Sequence, residues 1–148
     1  MFDYHHYHST THEALGVFAG RAMLELGGPD GRQVEVVVGD AVMLPVGTGH
    51  RCVASSEDFQ VVGAYPKGLS WDICREGPDD AAKARMAAVP DRRRDPVAGE
   101  TGAQIGHKKV SRETALLSVR RSASSPSLRS GLRAEVSSRF LRSFRRVE

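Results

Sequence analysis

Three of the six histidines in this chain stand at spacings that a metal ion could use. Residues i and i+2 of a β-strand share a face, so in the run Tyr4–His8 the imidazoles of His6 and His8 point the same way and can both grip one ion. Glu13 follows after Ser9-Thr10-Thr11-His12 and reaches the same point from the next strand, while His50 leaves the Pro45–Gly49 turn at the start of another. Three imidazoles and a carboxylate suit iron, manganese, nickel, copper, cobalt or zinc. A face of two histidines and one carboxylate with open positions is the signature of non-haem iron sites. Tyr4 shares the ligand phase, either as a contact to substrate or bound water or as an ordinary packed aromatic. His5 and His12 fall on the opposite phase and are expected at the surface or as supports of the ligands. The alternative for the whole set is a group of polar side chains that hydrogen-bond one another without metal.

Positioning these groups takes several short strands. Runs with β character cover Tyr4–His8, Ala14–Phe18, Arg21–Leu26, Gln33–Val38, Ala41–Leu44, His50–Ala54 and Phe59–Tyr65. Gly27-Gly28-Pro29-Asp30-Gly31, Gly39-Asp40 and Pro45–Gly49 supply the turns between them. Strands at this spacing predict an antiparallel sandwich or barrel, followed by a loop with Trp71 and a helix from Pro78-Asp79-Asp80 to about Ala88. Trp71 and Tyr65 are expected to pack over the shell or to wall a pocket, Glu25 and Glu35 to be solvated beside the hairpin, and Arg92–Arg94 to lie in a solvated loop.

At 148 residues, 40% hydrophobic and 26% charged, the chain suits one small domain. It holds no apolar run long enough to span a bilayer and no apolar core of a signal peptide, so the expected address is cytoplasmic. Cys52 and Cys74 are too isolated for a disulfide framework or a CxxC motif and are read as reduced thiols, Cys52 on the phase of His50.

The spacing of these residues resembles the cupin superfamily. Its first motif, HxH, then three or four residues, Glu, six residues and Gly, is met by His6, His8, Glu13 and Gly20. Its second, Gly, five residues, Pro-x-Gly-x-x-His, is met by Gly39, Pro45, Gly47 and His50. The wider stretches Tyr4–Ser9, Pro45–Arg51 and Val62–Pro66 with Trp71-Asp72 resemble the YjlB-like bacterial cupins, and the likeness runs from about Phe2 to about Gly102. The resemblance implies an all-β chain with a single small cupin β-barrel, or jelly roll, and a divalent metal at its centre held by His6, His8, Glu13 and His50. Cupins include dioxygenases, decarboxylases, isomerases and plain binding proteins, so the resemblance names no reaction. The expected function is a metal-dependent enzyme of unknown reaction, possible types being oxygenase and isomerase, acting on a small molecule. The alternatives are a non-enzymatic cupin that binds a small ligand or metal, and a truncated fragment without activity. A homodimer is open.

The ends depart from the family. The glycine that opens the first motif would fall just ahead of Met1, so the expectation is a barrel over residues 1–76 that is incomplete at its N-terminus. Residues 77–106 then form the helix and an irregular segment, and 107–148 an appended tail. The formal net charge of +3 hides a split, with 10 Lys+Arg against 15 Asp+Glu in 1–106 and 11 against 3 in 107–148. This basic, Ser-rich tail is expected to be disordered or non-native. Its alternative is a basic amphipathic helix, with Leu128, Leu132, Val136, Phe140 and Phe144 every four residues, that binds nucleic acid, a membrane surface or a partner.

Overall fold

A computed structural model of the chain describes residues 1–90 and the strand Phe144–Arg146. In chain order the strands are β1 (Glu13–Ala19), β2 (Arg21–Leu26), β3 (Arg32–Val37), β4 (Ala41–Leu44), β5 (His50–Ser55) and β6 (Gln60–Pro66), then helix α1 (Asp80–Ala88) and β7 (Phe144–Arg146). Hydrogen bonding divides the strands between two antiparallel sheets, one ordered β4-β1-β6-β7 and the other β3-β2-β5. The all-β expectation therefore holds at the level of two sheets and one short helix. Among the described residues no helix is long and apolar enough to cross a membrane.

Between β1 and β2 the chain changes sheet at a single residue. Gly20 alone separates β1 from β2, with φ at +63°, and a Cβ there would lie 2.7 Å from the Cα of Phe59. Both facts demand glycine. Gly39 and Gly47, the other two glycines of the spacing pattern, also have positive φ, at 94° and 79°. The glycines of the pattern thus mark sharp corners of the chain.

Alternation builds the interior. Leu15 and Val17 of β1, Ala22, Leu24 and Leu26 of β2, Val36 of β3, and Val42 and Leu44 of β4 form one buried cluster drawn from both sheets. Their period of two places one face of each sheet against the other. The opposite phase of the larger sheet carries a smaller cluster of Ala14, Met43 and Ala64. The inward phase then ends in polar residues. Glu13 precedes Leu15 by two and pairs with Leu44, and His50 pairs with Leu26. A polar group therefore sits directly on the apolar core, held by the registers that build it.

The run Tyr4–His8 differs from the expected strand. Among the described residues it makes two isolated bridges, His6 with His50 and Tyr7 with Cys74. The amide of His6 donates to the His50 carbonyl at 3.2 Å and that of His50 returns the bond at 2.9 Å, while Tyr7 and Cys74 exchange bonds of 2.9 Å. Successive residues thus face opposite neighbours, which still leaves His6 and His8 on one side.

Helix α1 forms where the sequence predicts it. Asp79 caps it by accepting from the amide of Ala82 at 2.6 Å, with Asp80 in the first turn and Arg85 in the last. The readings of Arg92–Arg94 and of the tail lie outside the described residues, except that the backbone of β7 pairs with β6.

Leu24 is fully buried and Val53 is 42% exposed. Leu24→Ala is expected to cost about 2–5 kcal/mol of unfolding free energy and Val53→Ala less than about 0.5 kcal/mol, read by denaturant titration.

Candidate metal centre

Each of three imidazoles is tied to a backbone carbonyl through Nδ1. His6 donates to the carbonyl of Tyr4 at 3.2 Å, His50 to that of Thr48 at 3.0 Å, and His8 to that of Asp72. A carbonyl only accepts, so in each neutral ring Nδ1 carries the proton and Nε2 offers its lone pair. Among the described residues, His6, His8 and His50 are the buried group able to hold an ion, with one ligand nitrogen from each within 4.8 Å of the others.

Glu13 stands against two of these rings. Its Oε2 is 3.2 Å from Nε2 of His8 and 3.1 Å from Nε2 of His50. The structure therefore brings together all four residues that the sequence singles out as ligands. Tyr4, the candidate contact to substrate or bound water, is half-buried, stacked on Phe2 at 4.8 Å and edge-on to His6 at 5.6 Å. The guanidinium of Arg75 lies 4.2 Å over its ring.

Electrostatics follow from burial and contact. Burial, reinforced by neighbouring His50, pushes the His6 imidazole down to about 4, so it is neutral at ordinary pH. Burial also opposes charge on His8, but its hydrogen bonds to Glu13 and to the Asp72 carbonyl outweigh that and leave its pKa above the usual value. Burial disfavours the Glu13 carboxylate too, yet His50 and His8 hold it ionised down to about 2.

Two residues that the sequence reading does not single out for a polar role complete the site. Tyr65 does not merely pack over the shell. Its hydroxyl donates to Oε1 of Glu13 at 3.0 Å and lies 3.4 Å from Nε2 of His8. Burial and then the Glu13 carboxylate push its pKa up, keeping it a neutral phenol. The signal for Tyr65 is in the alternation of β6, since Val61 packs on the core from the same phase. Between them, Gly63 leaves room for the acid, because a Cβ there would meet Oε1 of Glu13 at 2.8 Å. Trp71 stacks on Tyr65 at 5.9 Å and is 41% exposed. Asp72, the other addition, faces Ser9 and Thr10.

The histidines off the ligand phase have separate work. His12 is buried, accepting from the amide of Val46 at 2.9 Å through Nδ1 and donating to the Pro90 carbonyl at 3.1 Å through Nε2. His5 lies 3.3 Å from Glu25. Glu25 corrects the expectation of a solvated acid. It is 6% exposed, because its register partner Arg51 meets it at 2.6 Å and His5 crosses over the same outer face of β2. The hydrogen bond from Arg51 holds its carboxyl below the usual range. Glu35 is exposed as expected, and both cysteines are free and half-buried, Cys52 against the core.

The chain is similar to a protein of Bacillus subtilis (strain 168), the uncharacterized protein YjlB. The two are 40% identical over 104 residues, which cover 68% of this chain and 62% of the relative. The chain thus spans less than two thirds of that protein's length. No family model and no solved structure matches.

Tyr65→Phe removes the donor to a buried carboxylate oxygen and is expected to lower stability by about 1–3 kcal/mol. Gly63→Ala is expected to cost a similar amount, about 1–3 kcal/mol, by crowding that oxygen. Denaturant unfolding of each variant reads both, and no loss in either would contradict this account of Glu13.

Proposed function

We propose that the chain is a cupin that holds one divalent metal ion on His6, His8, Glu13 and His50 and acts on a small molecule bound beside it. One observation carries the reading: three Nε2 lone pairs and a carboxylate are gathered in one buried cluster and face one another. Acceptors aimed at acceptors repel unless a proton or a cation lies between them. The residues fit a metal because their outer atoms are already committed, Nδ1 of each ring to a carbonyl and Oε1 of Glu13 to Tyr65. Convergence of both spacing patterns on one point, with their glycines at corners, supports a cupin barrel as the shell.

Iron, manganese, nickel and zinc all suit imidazole and carboxylate ligands. Such an ion, when bound, supplies a Lewis acid, or an oxygen-activating centre if it is iron. The chain's own residues orient the ligands, exclude water from the apolar side and keep a neutral hydroxyl at Tyr65 close to the site. A reaction of oxygenase or isomerase type is the proposal that this arrangement supports.

Metal analysis of the full chain is expected to give about one equivalent of ion per chain. His8→Ala or His50→Ala is expected to lower affinity at least about a hundredfold, while His12→Ala lowers the melting temperature and leaves the stoichiometry unchanged. Equal damage from His12→Ala and His8→Ala would overturn the ligand assignment. Oxygen uptake with candidate substrates separates redox catalysis on iron from simple binding of zinc.

The pH dependence has a definite sign. The raised pKa of His8 means that its proton, shared with Glu13, stabilises the metal-free protein below pH 6.5 and that this contribution is lost as pH rises. Metal competes for the same gap, so affinity is expected to rise with pH through that range, read by competition with a chelator. Affinity that is flat across it would contradict the competition.

A further inference from the structure

We propose that Asp72 is the positioning residue of the centre, its carboxylate fixing the loop whose own carbonyl sets the tautomer and aim of His8. The three histidines are not held alike. His6 and His50 donate to carbonyls two residues back in their own segments, Tyr4 and Thr48, so their aim is fixed locally. His8 donates to a carbonyl 64 residues away. Its alignment is only as good as the docking of that distant loop.

Beside the Tyr7–Cys74 bridge, the bond from the Thr10 hydroxyl to the Ser70 carbonyl and the stack of Trp71 on Tyr65, the Asp72 side chain ties that loop to the residues after His8. One oxygen accepts from the amide of Ser9 at 2.7 Å and from the hydroxyl of Thr10 at 3.0 Å, and the other from the hydroxyl of Ser9 at 2.5 Å and the thiol of Cys74 at 3.3 Å. Both Ser9 and Thr10 directly follow His8. One residue therefore grips His8 from two sides, the backbone after it through a carboxylate and the ring through a carbonyl. Hydrogen bonds to a charged acceptor are the stronger kind, which suits a clamp. Arg85 of α1 adds a bond of 2.7 Å to the hydroxyl of Ser9, which is itself completely buried. Asparagine at position 72 would keep one acceptor and turn an NH2 toward the remaining donors.

The affinity arm of the test rests on the metal reading above, and the tautomer arm does not. Long-range proton–nitrogen NMR of the metal-free full chain at about pH 9, above the imidazole range, reads which nitrogen of each histidine carries the proton. The wild type is expected to hold Nδ1–H in His6, His8 and His50. Asp72→Asn is expected to turn His8 alone into a mixture and to lower zinc affinity by about ten- to hundredfold. The control Asp40→Asn, which weakens a buried carboxylate bonded at 2.9 Å to the amide of Val37, is expected to lower stability without moving His8. An unchanged His8 in Asp72→Asn, or equal loss of order in all three histidines, overturns the proposal. If Asp72→Asn does not fold, Ser9→Ala removes one clamp donor and must shift His8 in the same direction, and no shift overturns it. A wild type that takes no zinc strikes the metal reading alone, because the tautomer result still decides Asp72.

Discussion

A carboxylate surrounded by imidazole lone pairs, out of contact with water, is the constraint on which this molecule turns. Glu13 is 6% exposed and lies within 3.2 Å of two Nε2 atoms, so positive charge has to sit among these groups for the burial to be tolerable. A proton can supply it, and so can a metal ion. The proton leaves one pair satisfied at a time, whereas a cation satisfies several acceptors at once. The backbone carbonyls behind His6, His8 and His50 matter for this reason, since they remove the alternative of turning a ring N–H inward.

The apolar core and the polar cluster are one construction. Leu15 and Glu13 share a face of β1, Leu26 pairs with His50, and Leu44 pairs with Glu13, so the same pairings fix both. Sheet register is strongly specified wherever one face is buried, because a slip of one residue would turn the leucines outward. The cluster inherits that precision. Flexible parts of a structure would give poor control of ligand geometry, whereas strand ends above a packed core give good control.

Much of this is legible in the sequence, for a physical reason. The shared side of His6 and His8 follows from the period of an extended chain and survives although, among the described residues, the segment makes two isolated bridges. Helix α1 is legible from its Pro-Asp-Asp start. The inward phase of Tyr65 is in the alternation of β6, but its bond to Glu13 is not, since the gap at Gly63 shows only in the fold. Other features are not legible. Asp72 serves His8 through a main-chain carbonyl, a group every residue owns, across a separation of 64 residues. The burial of Glu25 depends on His5 crossing an outer face that local pattern marks as solvated.

Melting the full chain in the presence of zinc and then of excess chelator tests the central claim most directly, because an ion that binds only the folded state must stabilise it by mass action. With ion at a hundred times its dissociation constant the gain is about 2.7 kcal/mol, a shift of several degrees in a domain of this size. The account predicts that shift, its reversal by chelator and its absence in His50→Ala. A melting temperature indifferent to metal, or a shift that persists in His50→Ala, would contradict it.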